Sequence, residues 1–330
     1  MNLFKRTGGG RKNVRLMAGK FAVVGAALAI ASGAVAGCAT KASESTSNNE
    51  AATKVSAAFP LTVKDDGGHT LTLKQKPARV VSLAPTDTEM LFAVGAGGQV
   101  VGVSKYCDYP PEAKRKEVVG DFSSPNLERI VALKPEIVFA AAGVQNQINK
   151  RLSDAGIQVF VVDPKSIEGI LDVIDRVGRV TGNAEKAKTV ISGLRKRVDG
   201  IKNKVAGSEN KPKVFFEVYS QPLMTAGGPT VVNDMIKTAG GVNIAADINK
   251  DFPQYSLETL IEKNPDVYVA TSGAMANPGE IKNRPGWDRL SAIRNKKVFV
   301  LDENLVNRYG PRLIDGLELM AKAIHPEAFK

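Results

Sequence analysis

Asp121-Phe122, Leu127-Glu128 and Pro135-Glu136-Ile137 recur downstream as Asp251-Phe252, Leu257-Glu258 and Pro265-Asp266-Val267 at one constant offset, 252 − 122 = 258 − 128 = 130 residues. A single repeated Leu-Glu carries no information. An aromatic, an acid, a proline and the apolar run behind it, all keeping register, predict that the chain folds as two similar lobes. Two facing lobes enclose a cleft, so residues at matching places on both either line that cleft or form the two tips of one docking surface.

Lys5, Arg6, Arg11, Lys12, Arg15 and Lys20 precede an uncharged apolar run from Phe21 to Gly37, the pattern of a secretory signal. The end of that run, Val35-Ala36-Gly37-Cys38, resembles the lipobox of bacterial lipoproteins, in which cleavage leaves the cysteine as a lipidated first residue. Seventeen apolar residues with three glycines are short for a membrane span. Residues 1–37 are therefore read as a lipoprotein signal peptide, and 38–58 as the lipidated Cys38 and a flexible linker of small polar residues. Removing 1–37 takes six positive charges and no acid from the formal +11, and 11 − 6 leaves +5, too dilute to argue for nucleic acid. Cys38 and Cys107 are the only cysteines, so a lipidated Cys38 leaves Cys107 without a partner and the fold without disulfides.

From Phe59 onward, short apolar runs alternate with segments of helical periodicity. A hairpin around Asp65-Asp66-Gly67-Gly68 leads to a buried strand at Arg79–Leu83, and Thr86 and Glu89 then stand at capping-box spacing at the start of a helix. Further strands are expected at 100–103, 136–140, 159–162, 213–218, 266–270 and 297–301, with helices between them. This alternation predicts an α/β fold with mostly parallel sheets covered on both faces. Residues 183–205 are charged, with Ala187, Val190, Ile191, Leu194, Val198 and Ile201 at helical spacing, long enough at 1.5 Å per residue to span about 34 Å. They are read as a helix joining an N-terminal lobe, 59–182, to a C-terminal lobe, 206–330.

In both repeats the Leu-Glu pair opens a helix, with Leu127, Ile130 and Val131 matching Leu257, Leu260 and Ile261 as a buried stripe. Glu128 and Glu258 fall one residue on, about 100° around, and point away from it. Periodicity leaves two readings open for them, a partner contact or a favourable charge at the helix N-terminus. Phe122 and Phe252 fall in the loop before that helix, where open α/β sheets bind ligands, although an aromatic there also serves as a plug.

Ser104-Lys105-Tyr106-Cys107-Asp108-Tyr109-Pro110-Pro111, the run Asn126 to Glu136 and the ending Asn307-Arg308-Tyr309-Gly310-Pro311-Arg312-Leu313 resemble the substrate-binding lipoproteins of ABC importers for cobalamin, ferric siderophores and haem, and most closely those for vitamin B12. The likeness covers nearly all of 59–330. It implies two Rossmann-like lobes joined by one long helix with the ligand cleft between them, a lipid-anchored monomer outside the cytoplasmic membrane, and one glutamate per lobe, here Glu128 and Glu258, docking onto arginines of a permease dimer coupled to its ATPase subunits. For the ligand it implies Tyr109, Phe122, Met224, Phe252, Asn304 and Arg308. Phe122 and Phe252 stand where tryptophans are found in the B12 binders, and Ala141-Ala142-Gly143 stands where a further tryptophan is expected, so the pocket is expected to be roomier or differently shaped. Trp287 is read as structural.

Catalysis finds no support in the residues. His69 and His325 are the only histidines, and neither has a triad or metal-ligand context. Gly227-Gly228-Pro229 and Gly240-Gly241 do not form a phosphate-binding pattern, and clustered ligands for bare zinc or manganese are missing. No cofactor is expected. Arg308 and Lys105 are the cations at motif-matched positions, few for an anionic siderophore; aromatic faces suit cobalamin or a related corrinoid; and Tyr109 or Met224 could serve haem as an axial ligand.

Overall fold

Val80–Ser82, Ile137–Ala141 and Gln158–Val162 are runs of apolar residues with almost every side chain buried, which only a sheet covered on both faces can accommodate. The computed structural model describes residues 59–273 and 278–330; the signal peptide, Cys38 and the linker lie outside them. A hairpin of β1 (Leu61–Lys64) and β2 (Thr70–Leu73) comes first. The buried Asp65 carboxylate at its turn accepts the Val161 N–H at 3.0 Å and pins it to the edge of the adjoining sheet. That sheet is parallel, in the order β5 (Glu117–Val118), β4 (Val100–Val103), β3 (Val80–Ser82), β6 (Ile137–Ala141), β7 (Gln158–Val162). Its helices are α1 (Pro85–Ala93), α2 (Leu127–Ala132), α3 (Asn146–Asp154) and α4 (Ile167–Val180).

Helix α5 (Ala184–Val205) follows, packed along α4. Its 22 residues extend about 33 Å. The second sheet has β10 (Val242–Asn243), β8 (Lys213–Ser220), β11 (Val267–Thr271) and β12 (Val298–Leu301) in parallel order, with β9 (Leu223–Thr225) antiparallel on β8. Its helices are α6 (Val231–Thr238), α7 (Leu257–Lys263), α8 (Ser291–Arg294), α9 (Glu303–Val306) and α10 (Leu313–Ile324), the last also packed on α5. One apolar core runs continuously through α4, α5, α6 and α10 beneath both sheets, while each sheet keeps a private core on its other face. A shared core of this kind resists the wide hinge motion that two independently packed lobes would allow.

The repeat is physical. Strands β6 and β11 begin 267 − 137 = 130 residues apart, as do α2 and α7. Asn126 caps α2 by accepting the Arg129 N–H at 2.9 Å, and Ser256 caps α7 by accepting that of Thr259 at 3.0 Å. Each helix is closed by a residue of positive φ, Lys134 or Asn264, in the left-handed cap conformation, and the proline that follows cannot continue the helix. The repeated acids then clamp the neighbouring strand: Glu136 accepts the Arg79 N–H at 3.0 Å and Asp266 that of Lys213 at 2.8 Å.

Two expectations need correction. Helix α1 is not closed by a capping box: its N-cap is Ala84, without a side-chain bond, and Glu89 is buried and turned toward the other lobe. Val131 is 44% exposed and does not join the buried stripe, because α2 is only six residues long and packs through Ile130.

Both carboxylate oxygens of Asp87 in α1 are buried without a hydrogen-bond partner among the described residues. Burial, with Asp66 adding to it, pushes this pKa well above the usual carboxylate range. The native state therefore holds a proton that the unfolded chain releases. The resulting stability is fully present below the unfolded-state pKa and is lost as pH rises through the folded one. Urea midpoints measured between about pH 4 and pH 8 should show the native protein losing up to about 1.4 kcal/mol per pH unit relative to Asp87→Asn until the carboxyl ionises. Parallel profiles for the two proteins would exclude a protonated Asp87.

Candidate functional site

The carboxyl ends of β6 and β7 face the 251–252 loop and Tyr309 across a cavity of about 460 Å³, lined from the first lobe by Ala142, Gly143, Val144, Asp163 and Lys165 and from the second by Thr230, Asp251 and Phe252. Lys165 bridges the lobes, 3.0 Å from Asp163 on its own side and 3.0 Å from Asp251 on the other. Partial burial alone would lower its pKa, but the bonds to these two carboxylates outweigh it and hold the ammonium above its ordinary value. The phenol of Tyr309 is pushed up to about 12, by burial first and by Asp251 and Asp163 second, so this wall is an un-ionised ring. Asp234 of α6 adds a further link, accepting the Ile167 N–H at the start of α4 at 2.8 Å.

A second set of charges joins the lobes through the segment after α9. Glu89, buried in α1, takes a two-pronged bond from Arg312, Nε to Oε2 at 2.9 Å and Nη2 to Oε1 at 2.6 Å. Arg308 lies 3.4 Å from the same carboxylate and also pairs with Asp108. Burial of Asp108 is outweighed by Arg308, which lowers its pKa. The Arg312 guanidinium stacks on Tyr109, 3.8 Å from the ring centroid. Gly310, between the two arginines, lies against α1, where a Cβ would stand in ordinary contact, 3.5 Å from Glu89 Cβ and Thr86 O.

Phe252 lines the cavity and is 38% exposed. Its loop is zipped to β9, where the Gly227 N–H donates to Asp251 O at 2.9 Å and the Thr225 N–H to Pro253 O at 3.1 Å. Gly227 has to be glycine here, because a Cβ would fall 2.0 Å from Lys250 O. Met224 belongs to the same zipper, bridged to Gln254. Phe122 is half-buried and does not line this cavity. Its carbonyl accepts from the fully buried Gln145 at 2.7 Å, and the same amide holds Leu83 O at 2.9 Å and the Ala141 N–H at 2.8 Å, tying together the exits of β3 and β6. Asn304 turns its amide back onto Asp302, the cap of its own helix, at 3.0 Å. Tyr109 is 43% exposed, and Cys107, two residues earlier in the motif, is buried against Ser104 at 3.2 Å. Trp287 is buried in the second lobe's private core, 3.4 Å from the Tyr268 hydroxyl.

Glu128 and Glu258 are both exposed, and neither makes a hydrogen bond or ion pair among the described residues. Their helices are already capped by Asn126 and Ser256, so neither acid is needed to satisfy an N-terminus. The residues missed in the sequence are Glu89, Asp108, Lys165, Asp251 and Arg312, which carry lobe-to-lobe charge pairs, and Asp163, which holds Lys165 from its own lobe. Asp108 and Asp251 each sit beside a predicted aromatic, which was the available signal; Glu89 was masked by its resemblance to a cap.

Residues 80–305 match the periplasmic binding protein family. The chain is 35% identical over 318 residues to an uncharacterised ABC transporter substrate-binding lipoprotein, YvrC, of Bacillus subtilis, covering 94% of this chain and 99% of that one. It is 33% identical over 282 residues to a cobalamin-binding protein of Halobacterium salinarum, covering 81% and 74%. Among solved structures it is similar to the periplasmic vitamin B12 binding protein BtuF of Vibrio cholerae, with a TM-score of 0.68 and 29% identity over 77% of this chain and 99% of that one. No helix among the described residues is long and apolar enough to cross a membrane.

Proposed function

Since the chain belongs to the periplasmic binding protein family and is the substrate-binding protein of an ABC importer, we propose that it captures cobalamin or a related corrinoid between its lobes and hands it to the permease. It is a binding protein and not an enzyme, and its ligand is cargo, not a cofactor. It works with a permease and an ATPase from the extracellular or periplasmic side.

The observation that carries the ligand reading is the charge state of the cleft. Lys165, Arg308 and Arg312, the cations that join the lobes, are each already paired with a carboxylate. A strongly anionic ferric siderophore would have to break those pairs to find more counter-charge than the single exposed Lys105, which lies over the Tyr106 ring. A bulky, partly apolar corrin finds instead aromatic faces between the lobes, Phe252 and Tyr309 on the wall of the cavity and Tyr109 exposed over Arg312. The cobalamin- and B12-binding names of two relatives support the same choice. Within this reading Tyr109, Phe122, Met224, Phe252, Asn304 and Arg308 contact the ligand, and the protein acts as a monomer on a permease dimer.

Calorimetry of the purified protein should give saturable one-to-one binding of cyanocobalamin and no heat with a ferric tris-catecholate. Binding of haemin or the catecholate in place of cobalamin would overturn the ligand and leave the transporter class standing. We also propose lipid attachment through Cys38 at the end of residues 1–37. A Cys38→Ala chain should leave the membrane fraction, and its retention there with unchanged processing would refute the anchor.

A further inference from the structure

We propose that Arg312 is a positioning residue for the ligand site: it reaches from the second lobe to Glu89 of the first, sets the resting distance between the lobes there, and holds Tyr109 as a fixed ligand-facing ring. The inference rests on the reading of Tyr109 as a ligand contact.

Glu89 is 3% exposed, and both of its oxygens are engaged by the planar Arg312 fork. Bidentate pairing restricts orientation as well as distance, which a lysine ammonium cannot do. The other face of that guanidinium lies on Tyr109. Every charge around Arg312 is thus accounted for: Glu89 is its partner, Arg308 shares an oxygen of Glu89, and Asp108 is taken by Arg308. The Glu89 carboxylate, the largest influence, outweighs partial burial and raises the Arg312 pKa. The pair is also closely confined, since Gly310 brings the chain against α1 between the two arginines. Tyr109 itself is 43% exposed and makes no side-chain hydrogen bond among the described residues, so the stacked guanidinium is what orients its ring.

Arg312→Lys keeps the charge opposite Glu89 but loses both the fork and the flat stacking face. It should fold, and should weaken cyanocobalamin binding roughly 5- to 30-fold, in the range of one lost aromatic or cation–π contact. Tyr109→Leu should lose a similar factor. If Arg312 acts through Tyr109, the double variant should bind no more weakly than the worse single one; multiplied losses, or no loss in Arg312→Lys, would overturn the proposal.

A second measurement needs no ligand. Spin labels at Ala132→Cys and Glu262→Cys, exposed and equivalent positions on the two lobes, in a Cys38→Ser chain, report the interlobe distance. That distribution should be narrow with Glu89 and Arg312 intact and should broaden in both Glu89→Gln and Arg312→Lys. An unchanged distribution would refute the strut even if cobalamin proved not to bind, and a broadened one without cobalamin binding would retain the strut and discard the corrinoid.

Discussion

Phe252→Ala should bind cobalamin roughly 30- to 1000-fold more weakly than the unmodified protein, corresponding to about 2–4 kcal/mol for removal of a large aromatic anchor. The size of the effect follows from where the ring stands. It lines the cavity from a loop whose backbone is hydrogen-bonded on both sides of the ring, by Gly227 to Asp251 and by Thr225 to Pro253. Truncation therefore removes a contact face without loosening its support. Because the free side chain is already more than a third exposed, its loss should cost the fold about 1 to 2 kcal/mol, less than at a fully buried phenylalanine. Phe252→Trp, which enlarges the face, should preserve or improve affinity. Calorimetry on the three proteins decides the matter, and an alanine variant within twofold of the unmodified protein would remove Phe252 from the ligand site.

The features legible in the sequence are those written in local chemistry. The 130-residue offset reappears in α2 and α7, in β6 and β11, and in the residues of positive φ at Lys134 and Asn264, because cap, helix, proline and strand are decided within one short segment. The edge strands β5 and β10, two residues each, have no period to detect. The cleft electrostatics were hidden for a different reason. Arg308 was expected as a ligand contact, and its bond to Asp108 spans 200 residues of sequence, while its contact with Glu89 spans 219. Three residues after Thr86, Glu89 has a plausible local role, and only the approach of the second lobe reveals the distant one.

The same distinction explains why the two repeated acids stand apart from the rest of the site. Glu89, Asp108, Asp163 and Asp251 are all consumed by arginine or lysine from the opposite lobe or their own. Glu128 and Glu258 are left free, exposed, and identically placed on capped helices. Free charge at matching points on two lobes that share a continuous core presents a fixed pair to any partner large enough to span both.

The double variant Glu128→Arg, Glu258→Arg should accordingly fold, bind ligand within about twofold of normal, and fail to stimulate ATP hydrolysis or uptake by its reconstituted transporter. The helix termini lose at most about 1 kcal/mol each, since Asn126 and Ser256 still cap them. Against the arginines expected on the permease, reversal replaces two attractions by two like-charge contacts, a cost of several kcal/mol at a complementary interface. Each single reversal should lower transport by an intermediate amount, because one lobe can still dock, and raising the salt concentration should weaken docking of the unmodified protein while leaving the already uncoupled double variant unaffected. The measurements are ligand calorimetry and ligand-stimulated ATPase rate on the same preparations. Persistent stimulation with collapsed ligand affinity would assign both glutamates to the cleft, and the two-point docking model would have to be abandoned.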